Sequence, residues 1–68
     1  MDKISEQLGN NMKRIRAKKK MSQGDIARAL EADRGYISNI ENGKKNPTLA
    51  TIQKLAHALG VSPDELLK

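Results

Sequence analysis

The stretch SQGDIARALEADRGYISNIENG, residues 22–43, decides how this chain folds. Ser22 is a strong N-cap, and the third residue after it is Asp25, an arrangement that resembles a capping box, in which each side chain satisfies the other's backbone N–H. Ile26, Ala27 and Leu30 follow on one face, which predicts a helix of about two turns. After a break at Glu31-Ala32, Asp33 caps a second short helix. Its inward residues, Ile37 and Ile40, are three apart, and Gly43 marks its end. The result is helix, tight turn, helix. Two helices crossing at roughly 90 to 120° need a small residue at closest contact, and Ala27 supplies it. With Ile37 and Ile40 set against Ile26 and Leu30, the outward residues are Arg34, Gly35, Ser38 and Asn39, with Tyr36 toward one flank.

On the N-terminal side, Ile4, Leu8, Met12 and Ile15 recur at spacings of four, four and three, predicting one buried helical face. Lys13, Arg14, Arg16, Lys18, Lys19 and Lys20 occupy the other face and the end, where cations complement the helix dipole. Gly9 reads as a weakness of roughly 1 kcal/mol relative to alanine. On the C-terminal side, Pro47 keeps Asn46 out of helical geometry and Thr48 caps a fourth helix. The apolar stripe of that helix is Leu49, Ile52, Leu55, Ala56 and Leu59, with Gly60 as its stop. Ser62-Pro63-Asp64-Glu65 combines an N-cap, proline at N1 and glutamate at N3, the clearest capping-box signature in the chain, and opens a last helix holding Leu66 and Leu67. The expected fold class is all-α, with five helices.

Composition agrees. Sixty-eight residues leave room for one small domain, and a chain with no Cys and a single His has neither disulfides nor a metal set to hold it together. One Tyr with no Phe or Trp means that the core is aliphatic, which suits helices better than sheets. Thirteen Lys+Arg against eight Asp+Glu give a net charge of +5 and favour a polyanionic partner. No stretch approaches the ~20 apolar residues of a membrane span, and the N-terminus has no apolar signal region, so a soluble, cytoplasmic protein is expected.

Ser22 to Ala27 together with Tyr36 to Gly43 resembles the helix-turn-helix of the phage Cro/cI repressor (XRE) family. The likeness extends over Pro47-Thr48-Leu49 and from Leu55 to Leu66, so it covers nearly the whole chain. It implies a compact, lambda-repressor-like five-helix domain over residues 1–68, with its helix-turn-helix at about 23–42. One departure stands out, since the family's turn often holds glycine and this chain has Glu31. Either Glu31 adopts the left-handed region, at about 1 to 2 kcal/mol, or the turn is built differently.

The resemblance implies a sequence-specific double-stranded DNA-binding transcriptional regulator. The third helix would enter the major groove, where Arg34 can donate two hydrogen bonds to guanine and Asn39 can pair with adenine, each worth ~1 to 3 kcal/mol of discrimination. Gly35 would let the backbone approach closely. Ser38 and Tyr36 would reach phosphate, and Tyr36 could instead touch a thymine methyl or pack inward. Ser22 and Gln23 at the start of the second helix, with Asn42, Lys44 and Lys45 in the following loop, are the expected phosphate contacts. Arg16 matches a family arginine that pairs with the glutamate at Glu41 and also faces phosphate. Lys18, Lys19 and Lys20 are either a solvated helix end or further phosphate contacts. One recognition helix covers too few base pairs to select a genomic site, so a homodimer on a two-fold operator is expected, with half-sites about 34 to 36 Å apart and Leu66 or Leu67 in its seam. Repression is the expected mode, because a chain of this size has no apparent effector domain and occlusion needs only occupancy.

Other classes fare worse. No catalytic set is evident: His57 stands alone, Asp64 and Glu65 are first-turn charges, and no glycine-rich phosphate loop is present. No cofactor, metal or small-molecule ligand is implied. The basic first helix lacks the interfacial Trp and Phe of a membrane-surface helix, and RNA binding calls for more stacking aromatics. The remaining competitor is a protein-interaction module or coactivator of the same fold.

Overall fold

In the computed structural model, which describes residues 3–68, the chain forms α1 (Lys3–Lys18), α2 (Gln23–Leu30), α3 (Arg34–Glu41), α4 (Leu49–Leu59) and α5 (Pro63–Leu67). Residues 1 and 2 of the expected 1–68 domain lie outside the described residues. No strand occurs among the described residues. Four helices start at the expected caps. Ser22 Oγ accepts from the Asp25 N–H at 3.0 Å while Asp25 Oδ2 accepts from the Ser22 N–H at 2.9 Å, a complete capping box. Asp33 Oδ1 accepts from the Tyr36 N–H at 3.0 Å, and Thr48 Oγ1 from the Thr51 N–H at 3.2 Å. Gly60 closes α4 in the left-handed region.

The signature at Ser62 misleads. The Ser62 side chain makes no capping bond, and the Glu65 carboxylate, instead of reaching back, accepts from Lys68 Nζ at 3.1 Å. Pro63 at N1 and an extended Ser62 backbone are enough to start α5. At the α2–α3 turn the first alternative holds: Glu31 is left-handed, at φ 55° and ψ 40°, and the Ala32 N–H bonds the Ala27 carbonyl at 2.9 Å. Lys20, two residues past α1, is left-handed as well, at φ 58°.

α1 packs on α3 and α5, α2 on α3 and α4, and α4 on α5. Their shared core is aliphatic: Leu8, Met12, Ile15, Ile26, Ala27, Ile37, Ile40, Ile52, Leu55, Ala56, Leu59 and Leu66. Of the expected core residues, Leu30 is only partly buried against it, and two lie outside it. Ile4 is 65% exposed and Leu49 is 74% exposed. The buried face of α1 turns instead toward Ser5 and Gly9, and Gly9 explains why. A Cβ there would stand 2.3 Å from the Glu41 carbonyl oxygen and 2.7 Å from that of Ile40. The glycine is therefore the point at which α1 and α3 meet backbone to backbone, and its propensity cost is the condition for that approach.

Polar side chains of α1 and of the turn after it tie down the C-terminal elements. Lys19 Nζ donates to the Leu59 carbonyl at 2.7 Å and to that of Gly60 at 3.3 Å, placing a cation on the C-terminal end of α4. Asn11 Nδ2 donates to the Leu66 and Lys68 carbonyls at 2.9 and 3.2 Å, and the Gln7 amide also donates to Lys68.

Candidate nucleic-acid interface

The outward side of α3 follows from what its inward side buries. Ile37 and Ile40 are 0% exposed, so the 100° step of the helix turns Gly35, Ser38 and Asn39 away from the core, while Arg34, one turn before Ile37, lies on the flank and is exposed because it opens the helix. Arg34 and Gly35 are exposed at the N-terminal end, and Ser38 and Asn39 are half-buried along the same side. Tyr36 packs against the edge of the core. Beside α3, Gly24 on α2 is buried, and Arg34 Cδ lies 3.7 Å from where its Cβ would be. The Arg34 stem therefore rests on the first turn of α2.

Glu41, at the end of α3, is 2% exposed yet carries a carboxylate. It is satisfied from two sides: Arg16 Nε and Nη2 donate to its two oxygens at 2.7 and 3.0 Å, and Gln23 Nε2 donates to Oε1 at 3.0 Å. Arg16 Nη1 also donates to the Met21 carbonyl at 3.0 Å. The hydrogen bonds to Glu41 raise the Arg16 pKa further above its ordinary value, so the guanidinium stays charged. A forked, charge-assisted pair of this kind fixes the angle at which α1, α2 and α3 meet. It also holds Gln23 and Arg16, two expected phosphate contacts, in one place. Ser22 is exposed at the head of α2 and engaged in its cap. The Ser22 backbone N–H, with the Ser22 hydroxyl and Arg28, holds the Asp25 carboxyl below the usual range, so the box is intact at neutral pH.

Asn42, Lys44 and Lys45 are exposed in the segment after α3, and none of the ion pairs among the described residues involves either lysine. Lys19 is separated from this group by its commitment to the end of α4. Leu66 is a correction: it is 0% exposed, held inside by the docking of α5 on α1, and so is unavailable to a dimer seam. Leu67 is 41% exposed. Ile4, Leu49 and Gly9 are positions whose place in the structure differs from the sequence expectation. Among the described residues no His, Cys, Asp or Glu group could hold a metal, and no helix is long and apolar enough to cross a membrane.

Comparison with known proteins agrees with this geometry. The family described as Helix-turn-helix matches residues 12–66. Control protein C.MunI of a Mycoplasma species is 39% identical over 67 residues, covering 97% of this chain and 90% of that protein. The crystal structure of the restriction-modification controller protein C.AhdI from Aeromonas hydrophila superposes with a TM-score of 0.85 at 35% identity, over 91% of this chain and 94% of that one. The controller protein C.Esp1396I, solved as a tetramer in complex with its natural 35 base-pair operator, gives 0.84 at 30% identity, with 100% of both chains covered. This chain belongs to the helix-turn-helix family of the Cro/cI (XRE) type, whose members are DNA-binding transcriptional regulators and not enzymes.

Proposed function

We propose that this DNA-binding regulator represses by occupying a two-fold symmetric operator as a homodimer, each protomer reading one half-site with α3. The observation that carries the reading is the division of α3 into a fully buried side and an outward side bearing Arg34, Gly35, Ser38 and Asn39. Arg34 and Asn39 are the base-reading residues, since each can make the two-point contact that distinguishes guanine or adenine in the major groove. Gly35 admits the groove wall, and Ser38 and Tyr36 line its edge. Arg16, Ser22, Gln23, Asn42, Lys44 and Lys45 hold the register on the phosphates. The exposed side chain of Leu67 is the seam residue in α5, and the exposed Leu49 is a second apolar contact available to a partner protomer. The operator-bound relative supports the operator in this reading.

Selection of bound duplexes from a random DNA library by the purified protein tests it. An enriched inverted repeat with half-sites about one helical turn, 34 to 36 Å, apart or a multiple of it is the expected outcome. A single enriched half-site would contradict the dimer, and no enrichment would favour a protein-interaction module.

A further inference from the structure

Four cations of α1 and the turn after it sort by their surroundings. Arg14 is turned toward α5, its Nη2 donating at 3.3 Å to the Asn11 oxygen, and Asn11 in turn binds the Leu66 carbonyl. Lys19 is spent on the end of α4. Arg16 is bound to Glu41 of α3. Lys13, one turn before Arg16, lines a polar cleft of about 220 Å³ together with Glu6, Asn10, Glu41 and Asn42. Lys13 takes part in none of the ion pairs among the described residues.

We propose that Lys13, with Asn10 beside it, is a further phosphate-binding site that carries the backbone clamp from Asn42 across the cleft onto α1, outside the helix-turn-helix unit. The inference rests on the DNA-binding reading above and extends the footprint of that same surface. The charge balance of the cleft permits it. The Glu41 carboxylate is neutralised by Arg16, so it does not repel an incoming anion. Glu6 lies seven residues before Lys13, about 10 Å along the helix axis, and its stem packs by Gly43, where a Cβ would stand 3.2 Å from Glu6 Cγ. Glu6 lines the same cleft, so the phosphate is assigned to the part of it formed by Lys13, Asn10 and Asn42. Lys13 is exposed at the cleft, and a lysine ammonium on a flexible stem suits a mobile point contact to phosphate.

The test compares Lys13→Ala with Arg14→Ala, two neighbouring exposed positions on the same helix that lose the same charge. Binding of the full chain to a duplex recovered by library selection is measured between about 50 and 200 mM salt. Lys13→Ala is expected to reduce the magnitude of the log K against log salt slope by about 0.9 per protomer, and to weaken binding about fivefold per protomer at 0.15 M salt, with base preference unchanged. Arg14→Ala, which removes only long-range attraction, is expected to lose less than half as much. Equal effects from the two variants would overturn the inference while leaving the DNA-binding reading in place. Wild-type binding that ignores salt would overturn both.

Discussion

On its inner side α3 presents Ile37, Ile40 and Glu41, all buried, and each is met by a matching group: aliphatic side chains for the isoleucines, a guanidinium fork and an amide for the carboxylate. On its outer side Arg34 and Gly35 meet solvent, and Arg34 only rests its stem on Gly24. The inner residues are dictated by neighbours on α1 and α2, so changing one means changing its partners. The outer residues have little intramolecular duty, so they can be exchanged without disturbing the fold. One eight-residue helix thus divides buried packing residues from exposed ones, and in the proposed reading it separates stability from recognition. The expectation is that inner substitutions move stability and leave base preference alone, whereas outer ones do the reverse.

The largest effect should come from Arg16→Ala, which strands the buried Glu41 carboxylate with Gln23 as its remaining side-chain donor. Denaturant unfolding should show a loss of about 3 kcal/mol, a large part of the stability expected of a domain this size. A loss below about 1 kcal/mol would mean that the pair does not hold the junction. Gly9→Ala comes next. Because the obstructing atoms are backbone carbonyls of Ile40 and Glu41, α1 and α3 must separate, and about 2 to 3 kcal/mol should be lost despite alanine's better helix propensity. An unchanged midpoint would show that the helices can move apart freely.

Glu31→Gly works in the opposite direction. Relieving a left-handed residue should raise stability by about 1 kcal/mol in thermal or denaturant melts, with the selected DNA sequence unaltered. The smallest effect is a pH dependence at Asp25. Its pKa is lowered in the folded state, so its contribution is present above the ordinary carboxylate value and is lost as pH falls below about 4. Melting temperatures of wild type and Asp25→Asn should differ slightly at pH 7 and converge toward pH 3. A gap that widened on acidification would contradict the sign.

Much of the inner side was legible in the sequence. Caps at Ser22, Asp33 and Thr48, the stop at Gly60 and the pairing of Ile37 with Ile40 are local signals, and local hydrogen bonds carry them out. What was illegible depends on distant partners. Gly9 looks like a defect until the carbonyls of α3 are placed against it. Ile4 and Leu49 have the right periodicity but sit in first turns that no other helix covers. The Ser62 box does not form: the Ser62 side chain makes no capping bond, and Glu65 pairs with Lys68. Leu66 and Leu67 are adjacent and identical, and only the docking of α5 on α1 decides which of them is core. The outer side was legible by subtraction: residues not needed inside were the ones found outside.

The division of α3 is tested most directly by repeating the random-duplex selection with Arg34→Ala alongside the wild type, at equal salt and with melting curves of both proteins. The account predicts superimposable melts. It also predicts loss of preference, by about 1 to 3 kcal/mol, at one base pair in each half-site, with the rest of the operator preserved. An unchanged preference at every position would contradict the assignment of α3 as the reading helix.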